Sequence, residues 1–94
     1  MDVQELLATR REWYAWVIEY GITHSVMRIA IHEGDFPNHH ELICGDVRTF
    51  RGAMQGGPYR LRLTTGDNGL LELIDQAGAF ELRCGRIAIG RSRP

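Results

Sequence analysis

The chain has 94 residues, 44% of them apolar and 24% charged, which suits one globular domain over residues 1–94 with a single modest core and leaves no room for a multidomain mechanism. The formal charge is only −1, but it is unevenly spread: residues 1–46 hold eight acids and three arginines, and residues 47–94 hold eight arginines and four acids. No apolar run approaches the roughly 20 residues that cross a bilayer as a helix, and Met1-Asp2-Val3-Gln4-Glu5 has no basic leader, so the expectation is a cytoplasmic protein with no membrane role.

Asp2 followed by Glu5 matches an N-cap with a reciprocal acid, and Gly21 before Ile22 matches a left-handed C-cap with its hydrophobic follower. Between them Val3, Leu6, Leu7, Trp13, Trp16, Val17 and Tyr20 gather on one stripe at helical spacing. The pattern predicts a helix over about residues 3–20, with Trp13 and Trp16 buried against a sheet.

From Ser25 to His32 the period changes to two, with Met27, Ile29 and Ile31 on one face and Arg28, Ala30 and His32 on the other. Gly34-Asp35-Phe36-Pro37-Asn38 is a loop by its turn residues, and His39 to Cys44 is extended again. A hairpin register with Ile29 opposite Leu42 and Met27 opposite Cys44 makes the apolar sets coincide. The same register sets His32 opposite His39.

A heptad occurs twice, forty residues apart: Glu41-Leu42-Ile43-Cys44-Gly45-Asp46-Val47 and Glu81-Leu82-Arg83-Cys84-Gly85-Arg86-Ile87. In each, the apolar residue after the glycine falls three positions beyond the Cys, so keeping Leu, Cys and Val or Ile on one face needs one extra residue, as a bulge at glycine supplies. The two cysteines are expected to stay reduced as small buried residues of low reactivity.

Gly52-Ala53-Met54-Gln55-Gly56-Gly57-Pro58 lacks the lysine and hydroxyl of a phosphate loop and is expected to be a flexible crossing. Tyr59, Leu61 and Leu63 alternate with Arg60, Arg62 and Thr64 as a half-buried strand. A three-residue loop Asp67-Asn68-Gly69 with Gly69 left-handed sets Leu63 opposite Leu73. A four-residue connection over 75–78 then sets Leu73 opposite Phe80. Leu61, Leu63, Leu71, Leu73, Phe80, Leu82, Cys84, Ile87 and Ile89 thus line one face of a meander, and 91–94 is a frayed basic tail. The fold class expected is α+β: one N-terminal helix on a bent, mostly antiparallel sheet of about five strands over residues 25–90, able to curl toward a barrel.

No nucleophile stands in a local signature that exposes it beside a base, so no catalytic residue is assigned and a non-enzymatic role is expected. Ile43, Phe50, Leu70 and Ile74 alternate out of phase with the core set, and one helix cannot cover both faces of a sheet. Together with Arg60, Arg62 and Glu72 they form the candidate interaction surface of a self-associating or protein-binding module. The alternative is a metal or small-ligand domain, with zinc at His32, His39, Glu33 and Glu41 or a ligand inside the curled sheet. A further alternative is nucleic-acid binding by the arginine-rich second half, disfavoured by its interleaved acids and by a pI near 6.4.

Overall fold

The computed structural model describes residues 2–21, 25–34 and 38–92. A short helix α1 (Val3–Ala8) precedes seven strands: β1 (Trp13–Gly21), β2 (Val26–His32), β3 (His40–Arg51), β4 (Gln55–Tyr59), β5 (Leu61–Thr65), β6 (Leu71–Asp75) and β7 (Glu81–Ser92). They form one antiparallel sheet in the order β4-β1-β2-β3-β7-β6-β5. Its two edge strands are consecutive in the chain, with Arg60 alone between them, so the sheet must curl until its edges meet at that corner. The result is a half-barrel. Arg60 is pinned there, its N–H donating to Asp75 Oδ1 at 2.9 Å and its carbonyl accepting from the Gln76 N–H at 3.0 Å.

α1 packs against β5 and β7, buries Val3, Leu6 and Leu7, and is tied to β5 by Gln4 Nε2 donating to the Leu63 carbonyl at 3.2 Å. The N-cap is as expected, Asp2 Oδ1 accepting from the Glu5 N–H at 2.8 Å. The helix is much shorter than its apolar stripe implies and ends at Ala8, where the Thr9 N–H and hydroxyl both donate to the Leu6 carbonyl. Residues 13–21 form a strand instead. Every residue from Trp13 to Ile18 is apolar, so a helical stripe and a two-residue alternation both fit. The aromatic and β-branched content favours the extended form, and pairing on both sides, with β2 and β4, satisfies its backbone.

That change, together with β4, raises the strand count from about five to seven. β4 arises from the glycine-rich segment expected to cross flexibly. It is an edge strand, where Pro58, after a cis peptide bond, costs no ladder hydrogen bond.

The β2–β3 register is the one the apolar sets require, Met27 facing Cys44 and Ile29 facing Leu42. The β5–β6 loop likewise has Gly69 at φ 81°, with Leu63 opposite Leu73. The next turn lies one residue later than expected, closed by the Asp75 N–H on the Phe80 carbonyl, so Leu73 faces Leu82 rather than Phe80. A slip of two keeps the faces unchanged. Met27, Ile29, Ile31, Leu42, Leu73, Phe80 and Leu82, each at most 1% exposed, fill the concave side. Arg91 and Ser92, expected in a frayed tail, pair with Glu41 and His40 in β7. Ile22, Asp35, Phe36 and Pro37 lie outside the described residues.

The two heptads lie side by side at the centre of the sheet and are nearly two-fold related: Cys44 faces Ile87, Gly45 faces Arg86, and Val47 faces Cys84. Leu42, Cys44 and Val47 are buried together, as are Leu82 and Cys84 with Ile87 packed on them, so each copy does carry the extra residue. It produces no register slip between Cys44 and Val47, because both strands carry it at one level, Asp46 opposite Gly85. Asp46 takes it up at φ 53°. The glycines make room for each other's neighbours: a Cβ on Gly85 would lie 2.7 Å from Asp46 Oδ2, and one on Gly45 would overlap the Arg86 guanidinium.

Candidate functional site

β1 exposes apolar side chains on its outer face as well as burying Trp13, Ala15 and Val17 inside. Tyr14 is 38% exposed and Trp16 36%; Trp16 therefore does not share the burial of Trp13, because a strand sends neighbours of odd and even number to opposite faces. Pairing places Tyr14 beside His32, and Trp16 beside Ala30, which in turn faces Glu41. The Tyr14 and His32 rings stack, centroids 5.6 Å apart and 21° from parallel. Ala30 has no exposed surface although it points outward, since larger neighbours close over it. Ile43, on β3, is 39% exposed and lies across Gly90, where a Cβ would come within 2.7 Å of Ile43 Cγ1. Tyr14, Trp16 and Ile43 thus share the outer face of β1–β3; Ile18, Tyr20 and Met54 are also exposed, but the irregularity after Val17 sets Tyr20 opposite Met27, on the other face.

Charge at this face is concentrated in one network. Arg28 pairs with Glu41 and, at 3.2 Å, with Glu19. The Glu41 side chain is 8% exposed against 60% for Glu19, so the two ends of the network differ sharply in solvation. Hydrogen bonding to Glu41, then its charge, raises the Arg28 pKa further above its ordinary value.

The interaction surface expected from the alternation is divided by the fold. Ile43 belongs to the exposed face described above. Phe50 does not: a slip between Val47 and Thr49 turns it toward Leu82, and it packs on the core with its ring against Phe80, 5.4 Å between centroids. Ile74 points outward but is half-buried between Arg62 and Glu81. Leu70 and Glu72 line a polar cleft of about 460 Å³ with Arg48, Asn68 and Arg83. There Glu72 accepts from Arg83 Nε at 2.8 Å. Arg60 sits at the corner where the edges meet, beside a cleft of about 340 Å³ that also contains Glu12 and Asp75.

The residues weighed for zinc are engaged elsewhere. Glu33 accepts from Arg10 Nε at 2.6 Å, and Glu41 is held by Arg28. His32 Nδ1 lies 2.9 Å from the Gly34 carbonyl, and His39 is buried. Among the described residues no three His, Cys, Asp or Glu side chains converge as a metal set. His40 instead lies edge-on to Trp13, 6.0 Å between centroids. Its pKa is lowered, first by burial and then by the charges of Arg10 and His39.

Tyr14 and Trp16 are absent from the surface that the alternation predicts, because a helical stripe accounts for the same residues equally well. The available signal was the unbroken apolar run from Trp13 to Ile18: a strand apolar on both faces must meet something on each. Comparison with family models, with characterised proteins and with solved structures finds no match to this chain.

Proposed function

We propose that the protein is a non-enzymatic interaction module that associates with a second copy of itself through the outer face of β1–β3. The observation that carries this reading is the group Tyr14, Trp16 and Ile43, each more than a third exposed around a floor of Ala30 and Gly90. Aromatic residues and arginine are enriched in the cores of protein interfaces, and Arg28, already oriented by Glu19 and Glu41, supplies a polar rim.

A second copy is the partner proposed because a two-fold arrangement apposes identical patches, and the acids of this face, Glu19 and Glu41, are already paired with Arg28, so two copies can meet without uncompensated like charge. Full burial of a large apolar side chain contributes roughly 1.5 to 3 kcal/mol. Three half-exposed anchors return only part of that against an association cost on the order of 4 to 15 kcal/mol. The anchors alone do not offset that cost, so the dimer is expected to be weak and to depend on the polar rim as well.

Sedimentation or light scattering across the micromolar range tests this directly. The mass should rise toward twice that of the chain as concentration increases. Trp16→Arg should hold the protein at one chain mass with an unchanged circular dichroism spectrum, whereas Arg62→Glu on β5 should leave association intact up to its salt dependence. A single chain mass for the unaltered protein at every accessible concentration would overturn self-association.

A further inference from the structure

We propose that the corner where the two edges of the sheet meet binds a free α-amino acid with a short aliphatic side chain, holding its carboxylate on Arg60 and its ammonium on Glu12. The site is the cleft of about 340 Å³ lined by Glu12, Pro58, Arg60, Asp75, Gln76 and Ala77. None of these residues belongs to the association face of Tyr14, Trp16 and Ile43, so the proposal does not rest on self-association.

Three segments converge at the corner: the approach to β1, the end of β4 and the turn after β6. Asp75 fixes their relation. Its Oδ1 accepts from the Arg60 N–H at 2.9 Å and its Oδ2 from the Ala79 N–H at 3.1 Å. The Asp75 N–H donates to the Phe80 carbonyl at 2.9 Å, and the Gln76 N–H to the Arg60 carbonyl at 3.0 Å. Asp75 is 7% exposed and both its oxygens are engaged, so it serves as the floor of the cleft. Backbone held in this way loses little freedom when a ligand arrives.

The charges at the rim are not committed. Arg10, Arg28, Arg48, Arg51 and Arg83 each pair with a carboxylate. The Arg60 guanidinium makes no ion pair among the described residues, although two carboxylates line the same cleft, and Glu12 makes none either. Both side chains are exposed. A cation and an acid that share a cleft and stand too far apart to pair leave room for a molecule that offers each its complement.

The walls narrow the class of that molecule. Two acids against one arginine give the lining a net charge of −1, which disfavours phosphates and dicarboxylates. The Asp75 oxygens already accept from backbone, so Glu12 is the acid left for an ammonium, while the planar fork of Arg60 suits a carboxylate. Pro58 and Ala77 offer only small apolar surfaces, which fit an aliphatic rather than an aromatic side chain. The volume lies near the low end of the roughly 300 to 1,000 Å³ of ligand sites, room for one amino acid and not for a nucleotide.

The test titrates L-valine into the unaltered chain and follows backbone amide resonances. The controls are valinamide, which lacks the carboxylate, and isovalerate, which lacks the ammonium. Valine should shift the amides of Glu12, Arg60, Gln76 and Ala77 with a saturable dependence, on the order of millimolar for so small a ligand, and both controls should bind about tenfold or more weakly. Arg60→Gln should bring valine down to the level of valinamide, and Glu12→Gln should bring it down to that of isovalerate. Trp16→Arg should bind valine as the unaltered chain does, whether or not the chain dimerises. The proposal is overturned if valine gives no saturable shift at these amides up to its solubility limit, as would follow if Glu12 and Arg60 close on each other in solution. It is equally overturned if valinamide or isovalerate binds as well as valine, or if both glutamine variants keep full affinity.

Discussion

An outward-pointing isoleucine occurs in both halves of the sheet, and the two are treated differently. Ile74, on β6, lies between Arg62 on β5 and Glu81 on β7, whose long stems can lie along it and shield it. Around it run polar contacts, cross-strand from Thr64 to Glu72, Glu72 to Arg83 and Glu81 to Arg51, and along β7 from Arg83 to Glu81. Ile43, on β3, has Arg28 on one side and Ala88 on the other, and Arg28 is turned toward Glu19 and Glu41. Its remaining neighbours are too small to cover it. The difference teaches that exposure on this sheet follows from the size of the flanking residues and from where their charges are committed, not from the apolar residue itself.

The strongest test of this comparison lies within β1, where adjacent odd and even positions face core and solvent. Trp13→Ala removes a 2%-exposed indole and its Nε1 hydrogen bond to the Leu7 carbonyl. It should lower the free energy of unfolding by roughly 3 to 5 kcal/mol in a denaturant titration. Trp16→Ala should cost distinctly less and act mainly on association. Equal losses would mean that the outer face of β1 is as tightly packed as the inner one.

Next in size is the contrast between two carboxylate–arginine pairs. Glu41→Gln breaks the pair whose carboxylate is almost fully buried, and hydrogen bonds to charged groups contribute roughly 1.5 to 3 kcal/mol. Glu72→Gln breaks a pair whose side chains are 23% and 46% exposed, where about 0.2 to 1 kcal/mol is expected. Salt should erode the Glu72 effect more than the Glu41 effect. Chemical denaturation at low and high salt measures both, and a Glu72 loss matching that of Glu41 would break the distinction between the two halves.

The smallest effect belongs to the seam where the heptads meet. Gly85→Ala pushes a methyl group against the Asp46 carboxylate and should cost about 1 kcal/mol, the low end for overpacking because that carboxylate can swing aside. Asp46→Gly keeps the positive φ without strain and removes the obstacle, so Gly85→Ala should cost less in its presence. A double-mutant cycle measures the coupling, and strict additivity would remove the contact from the account of why both copies need glycine.

Much of the architecture is set by local pattern. Period-two alternation and the coincidence of apolar faces determine β2, the β2–β3 register, and the face that runs from Leu61 through Ile89. The Asp2 cap, the left-handed Gly69 and the extra residue after each Cys-Gly are equally local, since each depends on one or two dihedral angles and on the two-residue period of a strand. Tertiary structure decided the rest. The stretch from Trp13 to Ile18 is apolar at every position and fits a helix or a strand, and only pairing with β2 and β4 resolves it, which in turn exposes Tyr14 and Trp16. The slip after Val47 that buries Phe50 depends on β7 lying alongside. The curl depends on two edge strands separated by a single residue, and the side-by-side placement of the two heptads depends on segments forty residues apart becoming antiparallel neighbours. Local sequence carries the dihedral preferences of single residues, but it does not say which segments satisfy each other's hydrogen bonds.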